Sequence, residues 1–326
     1  MPRAAALRLY CVALLAFAAF DAPAQTDDYP RRPVTFMVPY PPGGGTDILV
    51  RMLAEELRDK LKQPVVVENR PGAGTLVAAG MVAKSPPDGY TLLLAPVTTL
   101  AINPSVYKAL PYDPVKDFAP VGLVGSADFV LVVNPSLGVK SVPELIALIK
   151  SKPGQMNYAS AGTGTPHHLF LAMLLKMAGL QMQHVPYRGS VAALTDVMSG
   201  EIPLMIVDLP PALPLIKDGK VRALAVTSRA RVAAAPDIPT IAEAGVTGYA
   251  ATGWFSVVAR AGTPRSTIDK INQVLTAYLQ RANVKERLQD LAIQPFTSTP
   301  EELERHIASE IIKWGRVVKE AGITPE

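Results

Sequence analysis

Residues 40–47 read Y-P-P-G-G-G-T-D, between a β-prone run (Val34, Phe36, Met37, Val38) and apolar residues at helical spacing (Ile48, Leu49, Met52, Leu53, Leu57, Leu61). Such punctuation commits the chain to a strand, a tight turn and a helix, in that order. Pro41 and Pro42 stiffen the turn, while Gly43, Gly44 and Gly45 permit positive φ and leave backbone N–H groups unshielded at a helix start. Thr46 is the expected N-cap, and Asp47 places negative charge where the helix dipole favours it. Two readings stand side by side: an anion cradle, or a turn that uses glycine for geometry alone. A lone glycine-rich turn favours the second.

The same construction recurs. Val65, Val66 and Val67 form a strand, followed by the Gly-rich stretch 69–75 and an alanine-rich helix reaching about Ala83, and 91–95 form a third strand ending at Pro96-Val97-Thr98-Thr99. Three strands with helical crossovers predict a parallel sheet, whose ligands sit beyond the carboxyl ends of the strands. In the second half, a strand over 157–160 precedes Ala161-Gly162-Thr163-Gly164-Thr165-Pro166-His167-His168, with Thr165 at the N-cap and Pro166 at the first helical position. A further strand over 204–207 delivers Asp208 to its carboxyl end, before a turn at Pro210-Pro211, and Thr240 with Glu243 frames a short capped helix. Two β-prone passages, near Val124 and near Trp254, are the expected crossovers between halves. Residues 27–123 with 258–326 then form lobe 1, and 124–257 form lobe 2.

The N-terminus carries Arg3 and Arg8 before an apolar run over 9–20 and an Ala22-Pro23-Ala24 site, so residues 1–24 read as a secretory signal peptide. The one cysteine, Cys11, lies inside that run, leaving the mature chain without thiol chemistry. A net charge of +4 with scattered Lys and Arg argues against nucleic acid as a partner.

Catalysis lacks its components. No G-x-S-x-G elbow is present, Ser160 being followed by Ala161-Gly162, and no G-K-[ST] follows either glycine run. His167 and His168 point to different helix faces, against zinc, and His168 reads as a third-position helix residue bonded to its own loop. No cofactor or metal is expected. Binding fits better, because a hydrogen bond to a charged group contributes about 1.5–3 kcal/mol and micromolar affinity needs about 8 kcal/mol. Two lobes aiming helix starts at one cleft reach that figure.

With Y-P-P-G-G-G-T-D stand V-E-N-R-P-G-A-G (67–74), P-D-G-Y-T-L-L (87–93), P-Y-D-P-V-K-D-F-A-P-V (111–121), H-V-P-Y-R-G (184–189) and R-A-L-A-V-T (222–227). In these motifs the chain resembles the Bug family, the substrate-binding receptors of tripartite tricarboxylate transporters. The resemblance implies an α/β, two-lobed periplasmic-binding-protein fold of the type II, Venus-flytrap kind with two crossovers. It implies a periplasmic, non-enzymatic, monomeric receptor that closes on a small carboxylated solute for the membrane subunits of a tripartite transporter. The alternatives are a ligand sensor signalling to a membrane kinase and a secreted hydrolase. The implied ligand-binding residues are Tyr40, Gly43, Gly44, Thr46 and Asp47, then Ala161, Gly162, Gly164, Thr165 and His168, with Asp208; Thr98, in the loop beyond the third strand, joins them. The chain departs from the family pattern at Thr75 and Leu76, where glycine and asparagine are usual, and at His167, where serine is common. Both departures fall near the expected pocket mouth.

Overall fold

A computed structural model describes residues 29–291 and 293–325. The expected signal peptide lies outside the described residues. The first half runs β1 (Val34–Val38), α1 (Gly45–Leu61), β2 (Val65–Asn69), α2 (Leu76–Ala83), β3 (Thr91–Pro96), α3 (Asn103–Val106) and β4 (Phe118–Ala127). The second runs β5 (Phe129–Val133), α4 (Val142–Ser151), β6 (Asn157–Ser160), α5 (Pro166–Ala178), β7 (Gln183–Pro186), α6 (Ser190–Ser199), β8 (Leu204–Asp208), α7 (Leu209–Lys217) and β9 (Arg222–Val226). The chain then returns through β10 (Gly253–Arg260) to α8 (Arg265–Leu279), α9 (Ala282–Asp290), β11 (Ile293–Gln294) and α10 (Pro300–Glu320). No helix among the described residues is long and apolar enough to cross a membrane.

Two sheets result, a six-stranded one ordered β11-β4-β10-β3-β1-β2 and a five-stranded one ordered β7-β6-β8-β5-β9. Period-two alternation gives each sheet two apolar faces. Val34, Phe36, Val38, Leu92 and Leu94 pack on one side of the larger sheet with Leu49, Leu53 and Leu57 of α1 and Ile271 of α8. Met37, Leu93 and Ala95 face the other way. In the smaller sheet Val130 and Val132 face one cluster, and Leu131 and Val133 face the cluster that also holds Leu93 and Trp314. Helix α10, with its full Thr299–Glu302 capping box, crosses between the two units: its Trp314 stacks on Phe170 of α5 at 5.2 Å.

The strands change sheet at Asp128, since β4 runs on to Ala127, and β10 has already rejoined the larger sheet at Gly253. Both points lie a few residues from those expected at 124 and 257, because β-prone composition marks the strands but not where each bends. Two local expectations need correction. Residues 209–217 form helix α7 rather than a turn: Pro210 and Pro211 occupy the first turn, where an N–H has no helical partner to lose. Thr240 and Glu243 do bond reciprocally, at 2.8 and 3.0 Å, but they hold a turn only.

Asp128 joins β4 to β5 with its side chain 3% exposed and Oδ2 without a partner. Burial pushes its carboxyl up to about 6 from an ordinary 3.8, opposed by a bond from Gln294. The folded state therefore holds a proton that the unfolded chain has released between those values, and stability falls as pH rises through that window. Asp128→Asn is expected to raise thermal stability by about 2–3 kcal/mol at pH 7.5 and by less at pH 4.5. Melting curves of the two proteins at both pH values check this; an equal gain at both would contradict it.

Candidate functional site

The carboxyl ends of parallel β1, β2 and β3 and those of parallel β6 and β8 open onto one cleft of about 480 Å³ between the sheets. Tyr40 and Thr46 come from the turn after β1, Gly74 and Thr75 from that after β2, and Thr98 from that after β3. The other side supplies Ala161, Thr165 and His167 after β6 and Asp208 at the end of β8. Phe129, Trp254 and Phe255, from the two passages where the chain changes sheet, complete the wall. No Lys or Arg lines the cleft among the described residues.

The two glycine loops are built alike, and the likeness decides which side chains face the cleft. Helix α1 has Gly44 as its N-cap, so Thr46 is the second helical residue and Asp47 the third; the cap lies two residues before the expected Thr46. Asp47, 3% exposed, folds back: Oδ2 accepts the Gly43 N–H and Arg51 Nε–H, both at 2.9 Å, and Oδ1 accepts from Asn69 Nδ2. Burial alone would raise this carboxyl, but those bonds together hold it below the ordinary range. In α5 the N-cap is Thr165, its Oγ1 donating to Gly162 O at 2.7 Å, and the third residue, His168, accepts the Gly164 N–H at Nδ1 over 3.2 Å. In both loops the third residue locks the glycine before the cap, and the second, Thr46 or His167, stands on the cleft wall.

The sequence-predicted residues accordingly divide. Tyr40, Thr46, Thr98, Ala161, Thr165 and Asp208 are on the wall, whereas Gly43, Gly44, Asp47, Gly162, Gly164 and His168 are not. Gly164 has φ +73 and sits beneath Val106, so it shapes the loop from behind. His168 stacks on His184 at 3.7 Å and 8°; burial, then the neighbouring His184, lowers it to about 3. Ser160, which hydrogen-bonds His184 Nε2 at 2.6 Å, is fully buried and also engaged by Gly162, so a substrate has no route to it.

On the wall, Tyr40 bonds Thr98, and desolvation followed by the Asp208 charge raises its hydroxyl well above the ordinary value. His167 Nε2 lies 2.9 Å from Asp208 Oδ2, and its ring meets Phe129 edge-on at 5.3 Å. Sequence reasoning noted His167 only as unusual; its second-residue position, matching Thr46, is the signal that would have placed it. Thr75 holds φ 78, which a β-branched residue seldom adopts, and is braced by Thr99 Oγ1 at 2.7 Å and by Asn103. Glycine there would meet no such strain.

Two sheets linked by crossovers, with strand-end turns converging on one cleft, define a two-lobed α/β fold. The sequence matches the family described as "Tripartite tricarboxylate transporter family receptor" over residues 49–323. It is 39% identical over 309 residues to Protein BugT of Bordetella pertussis, covering 94% of this chain and 95% of that protein. Among solved structures it resembles R. palustris Rpa4515 with adipate, at TM-score 0.80 and 37% identity over 91% of this chain and 100% of the other. It also resembles MatC (Rpa3494) from Rhodopseudomonas palustris with bound malate, at TM-score 0.75 and 31% identity over 89% and 100%. The chain belongs to the tripartite tricarboxylate transporter receptor family, and is a solute-binding receptor of the periplasmic type.

Proposed function

We propose that the protein captures one small carboxylated solute between its lobes and hands it to the membrane subunits of a tripartite transporter. The carrying observation is the convergence of strand-end turns from both sheets on a single cleft that, among the described residues, has no Lys or Arg on its wall. Without Arg or Lys, a carboxylate takes its hydrogen bonds from hydroxyls and from first-turn amides of the helices, which have no carbonyl partner inside the helix. Thr98 and the amides of α5 that follow Pro166 fill that role, with Tyr40 closing the opposite side. The lobes turn about Asp128 and the approach to Gly253, so the solute is enclosed as they close. The receptor acts as a monomer, exported by the segment 1–24.

Calorimetry on the purified protein tests this with acids and their primary amides on the same frame. The expected result is one-to-one binding of at least one acid with a micromolar Kd, and at least tenfold weaker binding of its amide. Equal affinity for acid and amide would overturn the proposal.

A further inference from the structure

Thr75 occupies a backbone position that suits glycine. The two sheets repeat one arrangement, β3-β1-β2 in the larger and β8-β6-β7 in the smaller, so the turn from edge strand β2 into α2 corresponds to the turn from edge strand β7 into α6. Both N-caps hold positive φ: Gly189 at φ 116 and ψ 160, Thr75 at φ 78 and ψ −1. A Cβ at Gly189 would meet nothing within 4 Å, and that residue is off the cleft wall, whereas Thr75 is on it. Of the two corresponding turns, the one that faces the solute carries the β-branched residue, in a conformation such residues seldom adopt.

That conformation is braced from behind the wall. Thr75 Oγ1 lies 2.7 Å from Thr99 Oγ1, Asn103 Nδ2 donates to Gly74 O at 2.9 Å and to the Tyr112 hydroxyl at 3.1 Å, and that hydroxyl donates to Thr99 O at 2.7 Å. Thr99, Asn103 and Tyr112 are buried, and none of them lines the cleft. The Thr75 hydroxyl is thus turned away from the solute, and the rest of its side chain is what the wall gains over a glycine. We infer that Thr75 sets the upper size limit of the solute, its methyl filling space that a longer or bulkier acid would need. Resting on the carboxylate-receptor reading above, this narrows the solute to a compact acid. One methylene more or less in an apolar pocket changes binding by about 10–200-fold, and a turn braced by buried hydrogen bonds does not move aside to admit it.

Calorimetry with straight-chain mono- and dicarboxylates, from butanoate and succinate up to decanoate and sebacate, tests this on the wild type and two variants. Thr75→Ser removes the methyl and keeps a hydroxyl for Thr99, while Thr75→Val keeps the shape and removes the hydroxyl. Wild-type affinity is expected to fall sharply beyond a limiting length. In Thr75→Ser the first acids past that limit should tighten at least tenfold relative to the shorter ones, and in Thr75→Val the ratio should stay within threefold of wild type. Thermal melts establish that the variants are folded. A residue that only shaped the turn would instead change the affinity for all acids together. Affinity that does not fall with length, a ratio unchanged in Thr75→Ser, or a ratio shifted as far in Thr75→Val overturns the inference and leaves carboxylate binding intact. Wild-type protein that binds no acid in either series overturns the reading on which it rests, and the size limit with it.

Discussion

Gly164→Val is expected to weaken carboxylate binding by at least tenfold, while Arg188→Ala changes it by less than twofold. Gly164 holds φ +73, where a β-branched residue is strained by about 1–3 kcal/mol, and its added Cβ would lie 3.1 Å from Val106 Cγ1. The loop has to shift, and with it go the Gly164 N–H bond to His168 and the positions of Thr165 and His167. Each 1.4 kcal/mol of misplacement is a factor of ten in Kd. Arg188 is exposed and off the cleft wall, so its loss removes a solvated charge. Calorimetry on both folded variants decides; a larger loss in Arg188→Ala would mean that a side-chain ion pair holds the solute.

The largest stability effect is expected at Glu310. Its Oε2 accepts from the indole N–H groups of Trp254, at 3.1 Å, and Trp314, at 2.8 Å, and its Oε1 accepts from Lys313. Burial alone would raise this carboxyl, but Lys313 and the two indoles bring it below the ordinary range. Trp254 lines the cleft and Trp314 stacks on Phe170 of the other unit, so one carboxylate ties the cleft wall to the bridging helix. Glu310→Ala leaves two buried donors unsatisfied and should cost about 3 kcal/mol, with Glu310→Gln, which keeps an acceptor, losing less. Denaturant melts measure both. A loss below about 1 kcal/mol in the alanine variant would show that water replaces the carboxylate without penalty.

The positions of the helices and strands around the cleft were legible because glycine and proline mark them. The stretches 40–47 and 161–168 end strands and open helices, and the unbroken valine run at 65–67 is β-prone along its length. Which residue of each loop faces a ligand was not legible. Asp47 and His168 carry the more conspicuous chemistry, yet as third helical residues they turn back to lock Gly43 and Gly164, and the less conspicuous second residues take the wall. That distinction depends on the position of the N-cap, and a one-residue uncertainty there exchanges the roles. Trp254 was read only as a β-prone marker of a crossover, because nothing local in sequence indicates that a crossover also lines a cleft. Helix α9 and helix α7 escaped for a similar reason: their helicity rests on burying Val284 and Leu288, or Leu209 and Ala212, against distant elements.

The central claim, that backbone and hydroxyl groups at the strand ends hold a carboxylate between the lobes, is tested most directly by a crystal structure grown with the tightest-binding acid. The account predicts a carboxylate within hydrogen-bonding distance of the amides that open α5 and of Thr98. A carboxylate seated instead beside the stacked His168 and His184, or paired with a Lys or Arg outside the cleft, would contradict it.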